Sequence, residues 1–367
     1  MLLLATKVWE QRKLGQVGKT QSGVGFPNEE QGGLEGIPFF KVSDMNNPGN
    51  EYEMVNANNY VKDDQLARKK WHPIKSVPAV IFAKVGAAIM LNRKRLVTRP
   101  FLIDNNSMAY IFDDSWDINF GKNIFETINL PRYAQVGALP SYNGSDIQGI
   151  KIFLPRKNEQ SKIGIFIMTI NEIITLYERK YRQLQTLKSG LLQNIFNNFN
   201  SGNTVRLNQI CVLKQWKTIS SQKMKKKGYP VFGANGIIGY YDKYNHEKPT
   251  ICITCRGATS GNILISKPYS YITGNAMCLE NLSSDFNIKF LYEYLSYRGL
   301  KDVITGSAQP QITSSLLGIV KIPIVPLKKQ KSISNVLLSL DSIINNIQMK
   351  SSYLKKIKET LLNTMFI

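Results

Sequence analysis

The chain has 367 residues, of which 43% are apolar, and 47 lysines and arginines stand against 26 acidic residues, a formal net charge of +21. The apolar fraction excludes a disordered protein, and the length predicts two or more domains. The positive charge favours nucleic acid as the partner ahead of an anionic membrane surface, although a high charge also serves solubility alone.

Membrane-spanning and secreted proteins are not expected from this sequence. No segment approaches 18 consecutive apolar residues. The opening MLLLATKVWEQRK has an apolar run too short for a signal peptide, with its charges on the wrong side. Four cysteines do not make a disulfide framework. We therefore expect a cytoplasmic location.

Residues 1–157 are predicted to form a mixed, β-rich globular unit. The stretch KVGAAIMLNRKRLVTRP (84–100) is basic and contains no acid. Lysine and arginine at such places neutralise phosphates, while Asn, Gln, Ser and Arg reach base edges. Any single one of these residues is also explained as a solvated loop residue. The predicted DNA contacts in this unit are Lys19, Gln21, Ser22, Lys41, Lys84, Asn92, Arg93, Lys94, Arg95, Arg99 and Tyr142.

Residues 158–202 are predicted to form a long helix and a linker. Apolar residues recur every seven positions, with a second row three or four residues on, which is typical of a coiled-coil seam. NNFNSGN (197–203) combines a helix stop with a glycine-containing turn. The seam residues are Ile163, Ile170, Tyr177, Leu184 and Leu191, and the second row is Ile167, Ile174, Tyr181 and Ile195.

Residues 203–327 are predicted to form a second globular unit. Its first part, residues 203–227, holds seven basic residues and no acid, and GYPVFGANGIIGYYDKYN follows directly. Two tyrosines in that phrase are candidates for stacking or for wedging between bases. The predicted DNA contacts are Lys217, Lys223, Lys225, Lys226, Lys227, Asn235, Tyr240, Tyr241, Arg256, Asn262, Gln309 and Gln311.

Residues 328–367 are predicted to form a second long helix, and at ~1.5 Å per residue each helix would be roughly 60 Å long. Two narrow seams of matching length favour pairing of the helices with each other. The alternative is that each amphipathic helix packs on its own globular unit. The seam residues are Ile333, Leu340, Ile347, Leu354 and Leu361, and the second row is Leu337, Ile344 and Met365.

An internal repeat runs through the chain. LKSGLLQNIF (187–196) matches IKETLLNTMF (357–366), and the offset of 170 aligns residues 160–196 with 330–366 without a gap. Similar phrases pair the globular units, including GIPFF (36–40) with GYPVF (228–232) and PAVIFAKVGA (78–87) with PTICITCRGA (249–258). A pseudo-two-fold axis would make the helices antiparallel and place the units at opposite ends, farther apart than one turn of duplex DNA, roughly 34 Å.

Catalytic and metal-binding patterns do not emerge. VGKT (17–20) lacks the earlier glycine of a phosphate-binding loop, where Lys13 stands. The pair in CITC (252–255) has the spacing of half a zinc site, but in a strand these residues point to opposite faces and are better explained as half-buried cysteines. The chain contains no Pro-Pro dipeptide, which adenine methyltransferases carry in their catalytic loop, and its histidines, His72 and His246, look isolated. We expect no catalytic residue and no metal site.

The order of globular unit, long helix, globular unit, long helix resembles the specificity subunit of type I restriction–modification enzymes. The phrases that carry the resemblance are WEQRKLG, GYPVFGANGIIGYYDKY, TCRGATSGN, TGSAQPQI before KIPIVP, and the terminal LLNTMF. It spans essentially the whole chain. The first copy departs in its middle, where GALPSYN stands in place of GSAQPQI.

This resemblance implies an α+β fold with two target recognition domains, residues 1–157 and 203–327, on an antiparallel coiled coil. Each domain would bind one half of a split, asymmetric double-stranded DNA site, and the helices would set the spacer. The subunit would catalyse nothing and bind no cofactor. Two modification subunits would bring S-adenosylmethionine and methylate an adenine in each half-site, and restriction subunits would join them.

Apolar residues outside the seam leave area that could receive such a partner, or that merely widens the seam. These residues are Ile173, Leu187, Val336, Ile343 and Ile357. Two other functions remain open from the residues alone: a stand-alone DNA methyltransferase with unusual motifs, and a coiled-coil scaffold whose globular ends bind proteins.

Overall fold

The computed structural model describes residues 9–135, 139–199, 202–306 and 308–365. The chain divides into two compact units, Met1–Tyr177 with Lys350–Ile367, and Glu178–Met349. Each unit contains one globular head and a segment of each of two long helices. We call the described parts of residues 9–156 and 202–326 head 1 and head 2.

Head 1 consists of nine short strands and three short helices. The strands are β1 Glu10–Lys13, β2 Gly18–Ser22, β3 Ile37–Phe40, β4 Tyr60–Val61, β5 Ala79–Ala83, β6 Lys94–Val97, β7 Leu102–Ile103, β8 Ser107–Phe112 and β9 Lys151–Leu154. The helices are α1 Asp63–Lys69, α2 Ile118–Thr127 and α3 Gly144–Gln148, and the long helix α4 Lys157–Asn197 follows.

Head 2 repeats this arrangement. Its strands are β10 Thr204–Arg206, β11 Val212–Gln215, β12 Tyr229–Gly233, β13 Gly236–Tyr241, β14 Ile251–Thr254, β15 Ile263–Ile265, β16 Tyr271–Ile272, β17 Ala276–Glu280 and β18 Lys321–Pro323. Its helices are α5 Leu207–Ile210, α6 Ile288–Arg298 and α7 Ser314–Gly318, and the long helix α8 Leu327–Met365 follows.

The sheets of the two heads match strand for strand. The orders β2-β8-β5-β6, β4-β3-β7 and β1-β9 in head 1 correspond to β11-β17-β14-β15, β13-β12-β16 and β10-β18 in head 2. The aligned phrases GIPFF and GYPVF lie on β3 and β12, and the two phrases beginning with proline lie on β5 and β14. The predicted α+β fold with an internal repeat is confirmed.

The central strands of the four-stranded sheets are apolar on both faces because each sheet separates two cores. In head 1, Val80 and Phe82 of β5 join one core, whereas Ala79 and Ile81 join the other. Successive side chains of a strand point to opposite faces, so a sheet covered on both sides requires an uninterrupted apolar run. Both AVIFA of β5 and ICIT of β14 are buried throughout.

The long helices bury the predicted seams. Partly or fully buried positions recur every three or four residues along α4 and α8, and none of the ten seam residues is exposed. In the second unit the two helices run antiparallel, since Lys188 lies 2.7 Å from Asp341 while Ile195, farther along α4, joins the same apolar cluster as Ile333, earlier along α8.

The division at residues 157, 202 and 327 remains a prediction, because the compact units divide both long helices instead of separating them from the heads. Phe366, Gly137 and Ser307, which the repeat alignment includes, lie outside the described residues. None of the helices in the described ranges is long and apolar enough to cross a membrane.

Candidate nucleic-acid interface

Three loops of head 2 meet at the end of β14. The Thr254 hydroxyl donates to the carbonyl of Ala234 in the turn between β12 and β13, and the Thr254 amide donates to the carbonyl of Asn262. The Gly257 amide donates to the carbonyl of Pro310, at 2.9 Å. In all three bonds the loops contribute backbone carbonyls, so the bonds hold the loops in place without using the side chains of Ala234, Asn262 or Pro310.

The loops bring together five of the predicted DNA contacts, all of them exposed. The backbone of Arg256 bridges that of Gln311, and Asn235 forms the turn that Thr254 holds. Arginine and the amide side chains are the groups that form paired hydrogen bonds to guanine and adenine edges. We call this the loop cluster of head 2; it consists of Asn235, Arg256, Asn262, Gln309 and Gln311.

A run of lysines lies beside β13. The Lys225 amide donates to the Tyr240 carbonyl at 2.8 Å, which aligns residues 223–227 with the strand. The Lys225 ammonium is 3.1 Å from Asp242, whereas the neighbouring Lys226 and Lys227 are exposed. At ~3.3 Å per residue, Tyr240 lies roughly 16 Å along the strand from Asn235. The predicted base contact Asn235 and the predicted phosphate contacts thus lie at two ends of one hairpin.

The remaining predicted contacts of head 2 lie near this hairpin or beside it. Tyr240 is 39% exposed, whereas Tyr241 is half-buried and makes an edge contact with Tyr271 at 5.6 Å. Lys217 is exposed, and its carbonyl accepts a hydrogen bond from Tyr271. Tyr240 therefore keeps a surface for stacking, while Tyr241 has a packing role.

Head 1 builds a related arrangement at the end of β5. The Lys84 ammonium donates to the Ser22 hydroxyl at 3.1 Å, beside the exposed Lys19 and Gln21 of β2. The Tyr142 amide donates to the Lys84 carbonyl. In head 2 the Ile312 amide makes the same bond to the carbonyl of Cys255, so the two loop pairs correspond.

Two predicted contacts of head 1 are buried in the protein and leave the set of DNA contacts. Lys94 is 1% exposed and its ammonium donates to the Ile128 carbonyl at 2.7 Å, while burial lowers its pKa to about 8. Tyr142 is also 1% exposed, and burial raises its pKa to about 12. A side chain without accessible surface cannot reach a phosphate or a base.

Three further predicted contacts of head 1 hold backbone in place. Arg99 donates to the Val55 carbonyl at 2.7 Å, and Arg95 donates to the carbonyls of Lys94 and Met45. The Asn92 side chain accepts from the Leu130 amide at 3.1 Å. Two others keep polar partners within reach of solvent: Arg93 bonds the Asn46 side chain, and Lys41 donates to Gln31 at 3.1 Å.

The loop that these arginines support was not predicted from the sequence. Residues 41–59 separate β3 from β4, and the fully buried Asn50 holds them together. Its amide group donates to the carbonyls of Asp44 and Asn56, both at 2.8 Å, and its oxygen accepts from the Val55 amide at 2.9 Å. The many asparagines in this stretch are the sequence feature from which an ordered loop could have been predicted. We call residues 41–59 the asparagine loop.

The cysteines are packing residues. Cys252 lies in the core with Phe232, and Cys255 lies in the opposite core with Ile253, as the strand geometry predicts. All four cysteines are free and buried. Within the described residues, no group of three or more His, Cys, Asp or Glu side chains is placed to hold a metal ion.

His246 is not isolated, contrary to its appearance in the sequence. Its Nε2 atom lies 3.3 Å from the Glu280 carboxylate, which also accepts a hydrogen bond from Trp216. Burial lowers the pKa of His246, and the Glu280 charge opposes that effect. The cluster attaches the segment after β13 to β17, which is a packing role.

Comparison with known families gives one match that covers most of the chain. The model of the type I restriction modification DNA specificity domain matches residues 6–186 and again residues 202–356. Two copies of one family domain therefore lie in tandem, in agreement with the repeated strand order.

Curated relatives are similar at modest identity. The EcoprrI specificity subunit of a type I restriction enzyme from Escherichia coli is 22% identical over 336 residues, which are 85% of this chain and 82% of that protein. A putative type I specificity subunit from Mycoplasma genitalium is 27% identical over 243 residues, 60% of this chain and 63% of that protein.

Solved structures share the fold. The crystal structure of the S subunit of a type I restriction–modification system from M. genitalium has a TM-score of 0.69 at 18% identity, covering 100% of this chain and 98% of that one. A chain from a structural study of complex assembly and conformational transition in the type I system has a TM-score of 0.57 at 16% identity, covering 97% and 96%.

Proposed function

Because this chain belongs to the family of type I restriction modification DNA specificity proteins, we propose that each head binds one half of a bipartite, asymmetric DNA site. In this proposal the helix pair sets the spacer between the half-sites. The chain recognises DNA and leaves methylation and cleavage to other subunits.

The observation that carries this proposal is the loop cluster of head 2 with the lysines beside β13. Exposed amide and guanidinium groups on rigid loops suit base edges, and exposed lysines suit the adjacent phosphates. Phosphate contacts supply affinity without regard to sequence, whereas base contacts supply specificity. Head 1 offers Lys19, Gln21 and the asparagine loop for the other half-site.

Two modification subunits and restriction subunits are the proposed partners, with S-adenosylmethionine carried by the modification subunits. Exposed apolar residues recur at equivalent places on the two helices, 170 residues apart: Phe166 and Val336, 47% and 53% exposed, and Ile173 and Ile343, 38% and 50% exposed. Matched apolar surfaces suit two copies of one partner. Leu187 is also exposed, whereas Ile357 is half-buried and widens the seam.

The test is to express the chain with its modification subunits and to map methylated adenines across the host genome. We expect pairs of methylated sites at one constant spacing, and none when this chain is deleted. Methylation at unchanged sites without the chain would refute a recognition role. Binding of S-adenosylmethionine by the purified chain alone would favour a stand-alone methyltransferase.

Substitutions in head 2 separate affinity from specificity. Lys226→Ala with Lys227→Ala should weaken binding to every sequence and reduce the salt slope by about 2, because each phosphate contact adds about 1. Arg256→Ala should relax one base position at a loss of about 1–3 kcal/mol. Lys321→Ala, at an exposed residue of β18, is the control. Binding that ignores salt would favour a protein-binding scaffold.

A further inference from the structure

Three charged side chains from three helices meet in the second unit. The Lys188 ammonium of α4 lies 2.7 and 2.9 Å from the carboxylate oxygens of Asp341 on α8. It also lies 3.5 Å from the carboxylate of Glu293 on α6, the helix of head 2. We call Lys188, Glu293 and Asp341 the three-charge joint.

The joint is shielded from solvent. The side chains of Lys188 and Glu293 are only 21% and 9% exposed, and that of Asp341 is 33% exposed. Lys188 occupies a seam position, between Leu184 and Leu191, where the pattern otherwise places apolar residues. A charged residue in a helix seam is tolerated where its partner is present, and it selects one pairing register over others.

The register is unique because neighbouring heptads offer no second carboxylate. One heptad before or after Asp341, α8 carries Ser334 and Gln348. A shift of the helices by one heptad would leave the Lys188 ammonium without a carboxylate from α8. Such a shift moves a helix by ~10 Å, which corresponds to about three base pairs of DNA.

The first copy does not repeat the joint. The residues 170 positions from Lys188 and Asp341 are Lys358 and Asn171. Counting six residues from the N-cap residues Asn287 and Asp117 aligns Glu293 with Asn123. The lysine is therefore kept, but asparagines replace both carboxylates at the equivalent positions. Burial lowers the pKa of Lys358, and the charge of Glu126 on α2 opposes that effect. The arrangement of three charges thus distinguishes head 2 from head 1.

We infer that Lys188, Glu293 and Asp341 are positioning residues that hold head 2 at one place along the helix pair and thereby fix the spacer of the recognised site. The inference rests on the proposed bipartite recognition. Lys188 acts on two elements at once: Asp341 fixes α8 against α4, and Glu293 fixes α6, and with it head 2, against both helices.

Apolar contacts beside the joint attach α6 but do not select a register as strictly. Phe196 of α4 packs against Phe290, Tyr294 and Tyr297 of α6 at centroid distances of 5.3–5.7 Å. Aromatic rings pack favourably in several offset and edge geometries, whereas an ammonium held between two carboxylates has one position. Removing the charge of Lys188 should therefore leave the second unit folded but hold head 2 less exactly in place along the helix pair.

The experiment maps methylated adenine pairs for the reconstituted complex with Lys188→Met and with the charge-reversed joint, in which Lys188→Glu is combined with Asp341→Lys and Glu293→Lys. Lys180→Met, at an exposed lysine of α4, is the control. We expect Lys188→Met to lower methylation at the original spacing at least tenfold and to add sites whose spacer differs by about three base pairs. The charge-reversed joint should restore the original spacing, and the control should match the wild type.

Wild-type efficiency at a single spacing in Lys188→Met would overturn the inference, as would a folded charge-reversed joint that fails to restore that spacing. If Lys188→Met does not fold, Glu293→Gln is used instead, because it keeps the size and hydrogen bonding of the side chain. The methylated adenine pairs made by Glu293→Gln must then also show more than one spacing. If the wild-type complex methylates nothing, the proposed function fails instead. The joint is then judged by hydrogen exchange in α6, which must accelerate in Lys188→Met.

Discussion

Head 1 and head 2 have the same strand order but join one pair of strands differently. Two residues, 234–235, connect β12 to β13, whereas the asparagine loop, residues 41–59, connects β3 to β4. The hairpin is ordered by strand pairing from Tyr229 to Gly233, and the asparagine loop by the side chain of Asn50. The same strand order can therefore carry different loops on its surface. Two domains that recognise different half-sites require such a difference.

The two heads also share a connection to the long helices. Gln160 donates to the Ser115 and Pro155 carbonyls and accepts from the Asp117 amide. Gln330, 170 residues later, makes the corresponding bonds to the Asp285 and Val325 carbonyls and the Asn287 amide. Both glutamines are fully buried, at 1% and 0% exposed. The heads differ in their recognition surface and agree in this attachment.

The largest expected effect is a loss of stability, which tests whether the two heads are attached to the long helices in the same way. Gln160→Leu and Gln330→Leu each leave one buried and two partly buried backbone groups without a partner. Each should lower the unfolding free energy of its own unit by about 2–4 kcal/mol. Hydrogen exchange, followed separately in α2 and α6, measures the loss. Gln348→Leu, at an exposed position of α8, is the control. A loss of stability in one of the two variants and none in the other would show that the two attachments are not equivalent.

A second prediction tests the difference between the heads. Asn50→Ala removes the bonds that order the asparagine loop and should destabilise that loop by about 2–3 kcal/mol. Methylation at the half-site read by head 1 should fall, while the sequence read by head 2 stays unchanged. Asn105→Ala, in an exposed turn, should do neither. Equal loss of specificity at both half-sites would contradict separate reading by two heads.

The smallest expected effect is a pH dependence confined to head 2. Burial holds the pKa of His246 below its ordinary value, so the folded head binds this proton less readily than the unfolded chain. The stability that head 2 gains from the neutral form of His246 should be fully present above pH ~6.5. It should decline as the pH falls below that value. Hydrogen exchange in residues 242–250 between pH 5.5 and 7.5 should show the decline.

His246→Gln should abolish that pH dependence, because the titrating group is then absent. Head 1 has no histidine at the corresponding place, so its exchange rates serve as the internal reference once intrinsic pH effects are subtracted. An unchanged pH dependence in His246→Gln would assign the effect to another group.

Local sequence patterns were sufficient for the helices and for the repeat. Heptad spacing is a property of neighbouring residues, so it predicted seam residues such as Ile170 and Ile347, which are 7% exposed in both cases. The strand positions of Cys252 and Cys255 likewise followed from alternation alone. Each of these predictions depends on backbone geometry that is the same wherever the segment lies.

Predictions of single DNA contacts were less successful because exposure depends on distant parts of the chain. Lys94 was indistinguishable from Arg93 in the basic stretch, yet the Ile128 carbonyl, 34 residues away, receives its ammonium in a closed environment. The asparagine loop was overlooked because its order comes from hydrogen bonds of Asn50 to backbone six residues away on either side. Neither the burial of Lys94 nor the bonding of Asn50 produces a periodic pattern in the sequence.

The α+β class, the duplicated head and helix, and the positions of the seam could all be predicted from the sequence, since repetition and periodicity are visible without coordinates. The tertiary structure shows which polar side chains are exposed and which are bonded inside the protein. It also placed Lys188 between Asp341 and Glu293, 153 and 105 residues away along the chain. Such a meeting depends on how three helices pack, and no local pattern encodes it.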